Sequence, residues 1–230
     1  MARSIIVTGG FGVLGQAVAE AFAAAGDRVA RIDFSPEAPN APGETPEGML
    51  DIGGVDLTDA AATQRALDQV LGTHGGIDVL VNVAGGFSWE MLEGGAIATW
   101  GRMQAMNLLT AATITQLALP ALKASAAGRI VNIGAGAAIK AGAGMGAYAA
   151  SKSGVHRLTE ALAEELGGTG VTVNAVLPSI IDTPTNRADM PGADFSAWVQ
   201  PAAIARVIAF LASADGGAIT GALVPVTRGG

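Results

Sequence analysis

The stretch SIIVTGGFGVLG, residues 4–15, joins a short apolar segment to an alanine-rich segment through a turn rich in glycine. The β-branched run Ser4–Thr8 predicts a strand, and Val13–Ala25, which stops at Gly26, predicts a helix. Between them, Gly10-Phe11-Gly12-Val13-Leu14-Gly15 follows the pattern G-x-G-x-x-G. Glycines at this spacing let the backbone turn sharply and come close to a pyrophosphate at the helix N-terminus. The stretch therefore predicts a strand, a turn and a helix that bind a dinucleotide.

An acidic residue ends the second predicted strand, Arg28–Asp33. Asp33 lies 18 residues after the last glycine of the loop, where a carboxylate accepts hydrogen bonds from the adenosine ribose and repels a 2′-phosphate. Neither Phe11 nor Phe34, the flanking positions from which a phosphate would be gripped, is basic. Arg31 argues against a preference for NAD(H), because it lies two residues before Asp33 and so potentially on the same side of the strand. We expect NAD(H) as cofactor, with NADP(H) less favoured; the alternative is that the glycines serve only packing and Asp33 is a solvated strand end.

Further apolar runs alternate with helical patterns along the rest of the chain. The segment Phe34–Gly48 contains four prolines and predicts an exposed loop, and Thr58 or Asp59 predicts the cap of a helix that reaches about His74. Other strands are predicted at Ile52–Val55, Ile77–Val83, Arg129–Ile133, Val171–Leu177 and Ala218–Val226, other helices at about Thr99–Ser125 (bent or ended near Pro120), Tyr148–Leu166 and Ala202–Leu211, and a loop at Pro178–Ala197. Strands joined by helical crossovers form a parallel sheet with helices on both faces. Residues 1–230 are thus predicted to form one doubly wound, Rossmann-type α/β domain.

The composition excludes several classes of site and partner. The chain has no Cys, which excludes a disulfide framework, a thiol nucleophile and a cysteine metal site. A net charge of −7 argues against nucleic acid as a partner, because that requires a basic face. No apolar run approaches the length of a membrane span, and glycines interrupt the N-terminal stretch that resembles a signal peptide. We expect a cytoplasmic protein. We also expect no bound metal, because roles in caps and loops explain the acidic cluster Asp51, Asp56 and Asp59 better than metal binding does.

The single tyrosine of the chain lies four residues before one of its three lysines. This spacing places Tyr148 and Lys152 on one face of the predicted helix. A phenol with a pKa near ~10 exchanges protons poorly at neutral pH unless a nearby cation lowers that pKa. The lysine ammonium and the positive ring of an oxidised nicotinamide would both do so, and Tyr148 would then pass a proton to or from a substrate oxygen or nitrogen while hydride moves. The plainer alternative is a surface tyrosine stacked on the stem of a lysine.

Together these motifs resemble the short-chain dehydrogenase/reductase family over essentially the full length of the chain. In order, they are Thr8-Gly9 to Gly15, Asp33, Asp56-Leu57, Asn82-Val83-Ala84-Gly85, Asn107, Tyr148-x-x-x-Lys152, Asn174, and Pro178 to Thr183. The resemblance implies an oxidoreductase that moves hydride between a nicotinamide cofactor and a small carbonyl, alcohol or quinonoid substrate. It also implies a homodimer or homotetramer, because the long helix and the Tyr148 helix resemble those that pair subunits in this family.

The resemblance further implies a role for each matching residue. Tyr148 would be the acid and base, Lys152 would tune its pKa and bind the nicotinamide ribose, and Asn107 would hold a water in a proton relay to Lys152. The expected cofactor-binding residues are Gly9, Gly10, Phe11, Gly12, Leu14, Gly15, Asp33, Phe34, Asp56, Leu57, Asn82, Ala84, Gly85, Tyr148, Lys152, Pro178, Ile181 and Thr183. Of these, Asp56 and Leu57 would meet the adenine, and the last three would contact the nicotinamide and its carboxamide.

Two positions depart from the family pattern. The pattern places Gly at position 13, where this chain has Val13, and a substrate-orienting Ser 13 residues before the Tyr, where it has Ala135. Losing one donor to a developing oxyanion costs about 2.7–4 kcal/mol, a loss that an enzyme for unactivated ketones would feel. Dihydropteridine reductase, which reduces an electron-poor quinonoid ring, is similar in its glycine loop, its Ala in place of Ser, and the approach Gly144-Met145-Gly146-Ala147-Tyr148. An ordinary carbonyl enzyme, an enzyme of that kind, and a dinucleotide-binding sensor without catalysis all stay open.

Three further features have two interpretations each. Phe87 and Trp89 would rim the substrate pocket or merely cover a loop, and Phe195 with Trp198 suggests an apolar lid. His156, eight residues after Tyr148, favours a packing or partner contact over catalysis.

Overall fold

A seven-stranded parallel sheet forms the centre of the molecule, whose computed structural model describes residues 2–39 and 48–228. Its strands are β1 Ser4–Thr8, β2 Arg28–Ile32, β3 Met49–Ile52, β4 Val79–Asn82, β5 Arg129–Ile133, β6 Thr172–Pro178 and β7 Leu223–Val226. They lie in the order β3-β2-β1-β4-β5-β6-β7, and every neighbouring pair is parallel. The order reverses between β1 and β4, which is where open sheets of this kind form a crevice beyond the carboxyl ends of their strands. The predicted fold class is confirmed.

Helices cover both faces of the sheet. They are α1 Val13–Ala24, α2 Ala60–His74, α3 Ala98–Gln104, α4 Thr110–Ala124, α5 Gly146–Glu165, α6 Pro184–Asp189 and α7 Pro201–Leu211. On one face, α1 and α7 pack through Phe22 and Ile208 against β1 residues such as Ile5. On the other face, α2, α4 and α5 enclose a second core that includes Ile6 and Ile114. All five residues of β1 are buried, because a central parallel strand is covered on both sides.

Local sequence signals account for several element boundaries. The predicted cap Asp59 accepts hydrogen bonds from the backbone N–H groups of Ala61 and Ala62, and Gly75 ends α2 in the left-handed conformation. The predicted strand Ile52–Val55 was placed too late, since β3 is Met49–Ile52 and pairs with β2 from Val29 to Ile32. Residues 40–47, which contain Pro42 and Pro46 of the predicted loop, lie outside the described residues.

The long helix between β4 and β5 is not interrupted where Pro120 predicted. It continues through that proline to Ala124, and its irregularity is instead a π-helical turn at Ala105–Leu109, between α3 and α4. Among the described residues, only this Ala98–Ala124 segment is long and apolar enough to cross a membrane by length and composition. Ile114 and Leu122 on it are fully buried in the second core, so one face of the segment packs against the sheet.

The predicted loop Pro178–Ala197 contains short helices. Thr183 accepts a hydrogen bond from the N–H of Asn186, Pro184 starts α6, and Phe195–Ala197 forms a 3-10 turn. A threonine cap followed by proline at the first helical position is a helix-start signal, which the prediction of a loop overlooked. The last strand is also shorter than predicted, because Asp215–Ala218 is a 3-10 turn and β7 begins at Leu223.

Candidate active site

A crevice of about 1890 Å³ runs along the carboxyl ends of the strands and collects most of the expected residues. Those on its wall are Gly9, Phe11, Gly12, Leu14, Gly15, Asp33, Phe34, Asp56, Leu57, Ala84, Gly85, Tyr148, Lys152, Pro178 and Ile181. Four others do not line it. Gly10 lies over Arg31, and Thr183 caps α6. Asn82 and Asn107 are buried behind the wall.

The glycine loop brings backbone into close contact at the start of α1. Gly9 has φ +61°, and a Cβ there would lie 2.9 Å from the Cα of Ala84. A Cβ on Gly15 would collide with the carbonyl oxygen of Gly9. No side chain caps α1, whose N-cap is Gly12, and no acidic residue lies in its first turn. Uncapped N–H groups at a helix N-terminus on a glycine wall suit a pyrophosphate, so the residues present fit a bound dinucleotide, with Val13 no obstacle.

Asp33 braces the adenosine end of the crevice. Its carboxylate accepts hydrogen bonds from the backbone N–H groups of Phe11 and Ser35, both at 2.9 Å. Asp56 lies beyond it on the same wall, where hydrogen bonds from Thr58 lower the pKa of its carboxyl. The carboxylates of Asp33 and Asp56 thus both lie at this end of the crevice.

Tyr148 and Lys152 face the crevice from the first turns of α5, one helical turn apart. The ammonium of Lys152 donates to the carbonyl oxygen of Ile133 at 2.8 Å. The ring of Tyr148 meets that of Phe87 edge to face, with 4.9 Å between centroids. Burial raises the pKa of Tyr148 to about 12 and lowers the pKa of Lys152 to about 8, since it disfavours the charged form of each. At neutral pH the pair is therefore a protonated phenol beside an ammonium.

Asn107 lies behind the wall of the crevice, where its side chain makes hydrogen bonds to neighbouring segments. Its carboxamide accepts from the N–H of Gly86 at 2.8 Å, donates to the carbonyl of Gly86, and donates to Ser151 at 2.9 Å. A Cβ on Gly85 would lie 2.5 Å from Oδ1 of Asn107 and 3.4 Å from Nζ of Lys152. Asn107 lies in the π-helical turn, a feature frequent at functional sites. It thus ties the long helix, the β4 loop and α5 together beside Lys152.

Asn82 ties two strands to two helices. It donates to Thr115 of α4 at 3.0 Å and to Asn132 of β5 at 2.8 Å, and Asn132 in turn donates to Thr159 of α5. Its position fits the expected stabilising role in the fourth strand, whereas the crevice wall next to it is formed by residues 83–86.

His156 supports the wall that faces Tyr148. Its Nε2 accepts a hydrogen bond from the N–H of Ala135 at 3.3 Å, and a Cβ on Gly134 would lie 2.5 Å from the same atom. His156 is buried, and burial lowers its pKa, so the ring is neutral and can accept. The expectation of a packing contact was right in kind, but the sequence did not indicate that the contact fixes the position of Ala135.

Several wall residues were not predicted. The α6 segment contributes Asn186, Asp189 and Met190, and Arg102, Met106 and Met145 come from the opposite side. An ion pair between Arg187 and Asp182 at 2.6 Å braces α6, and the Arg187 guanidinium lies 4.6 Å from the Phe195 ring centroid. The ring of Phe195 packs on buried Trp198. Phe87 and Trp89 line the crevice as well, so the pocket around Tyr148 is largely apolar.

The lowered pKa of Lys152 predicts how the rate of reduction depends on pH. The proton transfer expected of this pair would need the Tyr148 phenol, which keeps its proton to about pH 12, and the Lys152 ammonium, which loses its proton near pH 8. We expect kcat/KM for reduction, at saturating dinucleotide, to be level at neutral pH and to fall as pH rises through about 8. Steady-state rates between pH 6 and 10 measure this, and a rate that still climbs above pH 9 would contradict it.

Several known proteins are similar to this chain in sequence and in fold. Residues 3–193 match the family model described as short chain dehydrogenase. The chain is 30% identical to the 3-oxoacyl-(acyl-carrier-protein) reductase FabG of Thermotoga maritima, covering 97% of this chain and 96% of that protein. It is 31% identical to meso-2,3-butanediol dehydrogenase of Serratia marcescens, covering 99% and 94%. The ligand-free aldohexose dehydrogenase of Thermoplasma acidophilum superposes with a TM-score of 0.86 at 29% identity, over 98% of this chain and 92% of that one.

Proposed function

Since the chain belongs to the short-chain dehydrogenase/reductase family of NAD(P)-dependent oxidoreductases, we propose that it transfers hydride between NAD(H) and a small carbonyl, alcohol or quinonoid substrate. The observation that carries this proposal is the pair Tyr148 and Lys152 on the wall of a crevice that begins at an uncapped, glycine-lined helix N-terminus. The binding end and the reacting end lie in one continuous crevice. A dinucleotide and a substrate would therefore meet at Tyr148.

The residues of this chain supply the proton and its control. The bound cofactor supplies or accepts hydride at the substrate carbon. In reduction, Tyr148 gives its phenolic proton to the substrate oxygen, whose double bond to carbon opens as the hydride arrives, so that one hydride and one proton make an alcohol. Lys152 stabilises the resulting phenolate by its charge, and the Ile133 carbonyl holds the ammonium in place. Oxidation is the reverse.

NAD(H) is favoured over NADP(H) by the charge at the adenosine end. The Asp33 carboxylate is held by two backbone N–H groups at the place where it would face the ribose hydroxyls. Arg31, by contrast, does not line the crevice. Titration with NADH and NADPH side by side, followed by cofactor fluorescence, tests this choice. Tighter binding of NADH supports it, and tighter binding of NADPH would overturn the cofactor choice while leaving the oxidoreductase class intact.

Ala135 favours an activated substrate. The family's serine hydroxyl is replaced by a methyl group, and the N–H of Ala135 is occupied by His156. Tyr148 is then the principal donor to a developing oxyanion, which suits a quinonoid or otherwise electron-poor acceptor of the dihydropteridine reductase kind.

We expect Ala135→Ser to raise kcat/KM on ordinary ketones about tenfold to hundredfold, because it restores one donor near the substrate oxygen. The same change should leave the rate with a quinonoid acceptor within about twofold. Steady-state kinetics on both acceptors measure the contrast. Equal effects on the two acceptors would argue against an activated substrate.

A catalytically silent dinucleotide sensor is the second candidate, and Ala135 is again the observation in its favour. A screen of carbonyl, alcohol and quinonoid acceptors with NADH and NADPH separates the two. Turnover on any acceptor supports the enzyme, whereas saturable NADH binding without turnover on all of them supports the sensor.

We also propose that the protein acts as a soluble, cytoplasmic homodimer or homotetramer that pairs through α4 and α5. The groove between these helices, lined by Leu119, Pro120, Leu162 and Leu166 together with Gln116, Lys123 and Glu165, lies on the surface that would meet the partner. The mass of the purified protein in solution tests the proposal.

A further inference from the structure

Arg31 is buried directly beneath the adenosine end of the crevice and is held there by three contacts. Its guanidinium makes a two-point ion pair with Asp51, at 2.7 and 2.8 Å, across the registered strands β2 and β3. Its Cζ lies 5.6 Å from the centroid of the Phe11 ring. A Cβ on Gly10 would lie 2.6 Å from the Cβ of Arg31, so glycine is needed above it. Only 3% of the arginine side chain is exposed.

The ring of Phe11 therefore separates the positive charge of Arg31 from the expected position of the adenosine ribose, where NAD(H) and NADP(H) differ. Phe11 lines the crevice, and its N–H is bound by Asp33, the residue that faces the ribose. An unpaired arginine there would attract a 2′-phosphate. As an ion pair, Arg31 and Asp51 together carry no net charge, and the carboxylates of Asp33 and Asp56 on the wall are left to make the region negative.

Resting on the proposed function, we propose that Asp51 is a specificity-determining residue: by neutralising Arg31 beneath Phe11, it keeps the ribose end of the crevice selective for NAD(H) over NADP(H). Asp51 lies on β3 and does not line the crevice, so it acts through Arg31 rather than by touching the cofactor. The net charge of Asp33, Arg31 and Asp51 then sets the preference.

The proposal gives an ordered series of variants. That net charge is −1 in the natural protein, 0 in Asp51→Asn, −2 in Arg31→Gln, and −1 again in the double variant Arg31→Gln/Asp51→Asn. We expect the ratio of NADPH to NADH affinity to rise about tenfold in Asp51→Asn, to fall about tenfold in Arg31→Gln, and to return to within about twofold of the natural protein in the double variant. The ratio is the informative quantity, because a purely structural role would weaken both cofactors alike.

The measurement is fluorescence titration of each folded variant with NADH and with NADPH, at low and at high salt. The contrast should shrink only slightly at high salt, because Arg31 and Asp51 are buried and salt screens buried charges much less than exposed ones. Because Asp51→Asn leaves the fully buried Arg31 without its partner and can prevent folding, Arg31→Gln, which leaves the more exposed Asp51, is also made in an Asp33→Asn background that no longer repels a 2′-phosphate. There it should lower NADPH affinity about tenfold and leave NADH within twofold.

The outcomes separate the two proposals. A natural protein that binds neither dinucleotide overturns the proposed function and this inference with it. A natural protein that binds NADH, with variants whose affinity ratios all stay within twofold, overturns the role of Asp51 alone. The ordered ratios support both.

Discussion

Replacing Tyr148 with Phe should lower kcat about a thousandfold, while the affinity for NADH changes by no more than about twofold. The phenol is the acid and base of the proposed mechanism, and a positioned proton donor contributes about 10²- to 10⁴-fold. Phenylalanine keeps the ring and its edge-to-face contact with Phe87, so the wall of the crevice is preserved. Single-turnover rates and NADH titrations measure the two quantities separately.

Phe87→Leu is the matched control for this variant. It alters the same ring contact without touching the proton donor, so its kcat should fall far less than that of Tyr148→Phe. Because Tyr148 is the single tyrosine, the ultraviolet absorbance of its phenolate reports on this residue alone. Burial raises its pKa to about 12, so we expect no phenolate at pH 10 in the free protein and an earlier signal when NAD⁺ is added. Undiminished turnover by Tyr148→Phe would rule out the mechanism.

Replacing Gly15 with Ala should weaken NADH binding about tenfold to hundredfold. The added Cβ would collide with the carbonyl oxygen of Gly9 and lie 2.8 Å from the Cα of Gly10, so the loop that faces the pyrophosphate must move. Overpacking of this kind costs about 1–3 kcal/mol, and each 1.4 kcal/mol is a factor of ten in affinity. NADH titration measures the loss, and thermal unfolding reports how much of the cost falls on the fold.

Gly72→Ala is the control for that substitution. Gly72 lies in α2, remote from the crevice, and an added Cβ there would meet nothing within 4 Å. Alanine also favours a helix over glycine by about 1 kcal/mol, so we expect equal or higher stability and unchanged affinity. If the two variants bound NADH equally well, close backbone packing in the loop would not be what shapes the binding site.

Much of the fold and the reacting pair could be predicted because the signals are local. The glycine loop, the cap at Asp59 and the spacing of Tyr148 and Lys152 each depend on neighbouring residues of one element. Alternating strand and helix patterns then leave a parallel sheet as the arrangement, and the carboxyl ends of its strands bring the distant motifs to one edge.

The parts that could not be predicted depend on contacts between distant segments. The environment of Arg31 is set by Asp51, 20 residues away on a strand that was predicted too late in the sequence. The contact of His156 with Ala135 crosses 21 residues between a helix and a loop. The π-helical turn has no residue signature of its own, and the proline that drew attention lies elsewhere in the same helix. The start of α6, by contrast, carried a readable signal in Thr183 and Pro184.

The central position of β1 has a consequence for how the protein acquires its structure. This strand is made first on the ribosome, yet one neighbour, β2, begins at Arg28 and the other, β4, begins only at Val79. A nascent chain must carry this largely apolar strand with one edge unpaired until the second neighbour has emerged. Pairing over such sequence separations is slow, and the waiting segment is prone to aggregate. We expect recovery from denaturant to improve at low protein concentration and with a holdase chaperone.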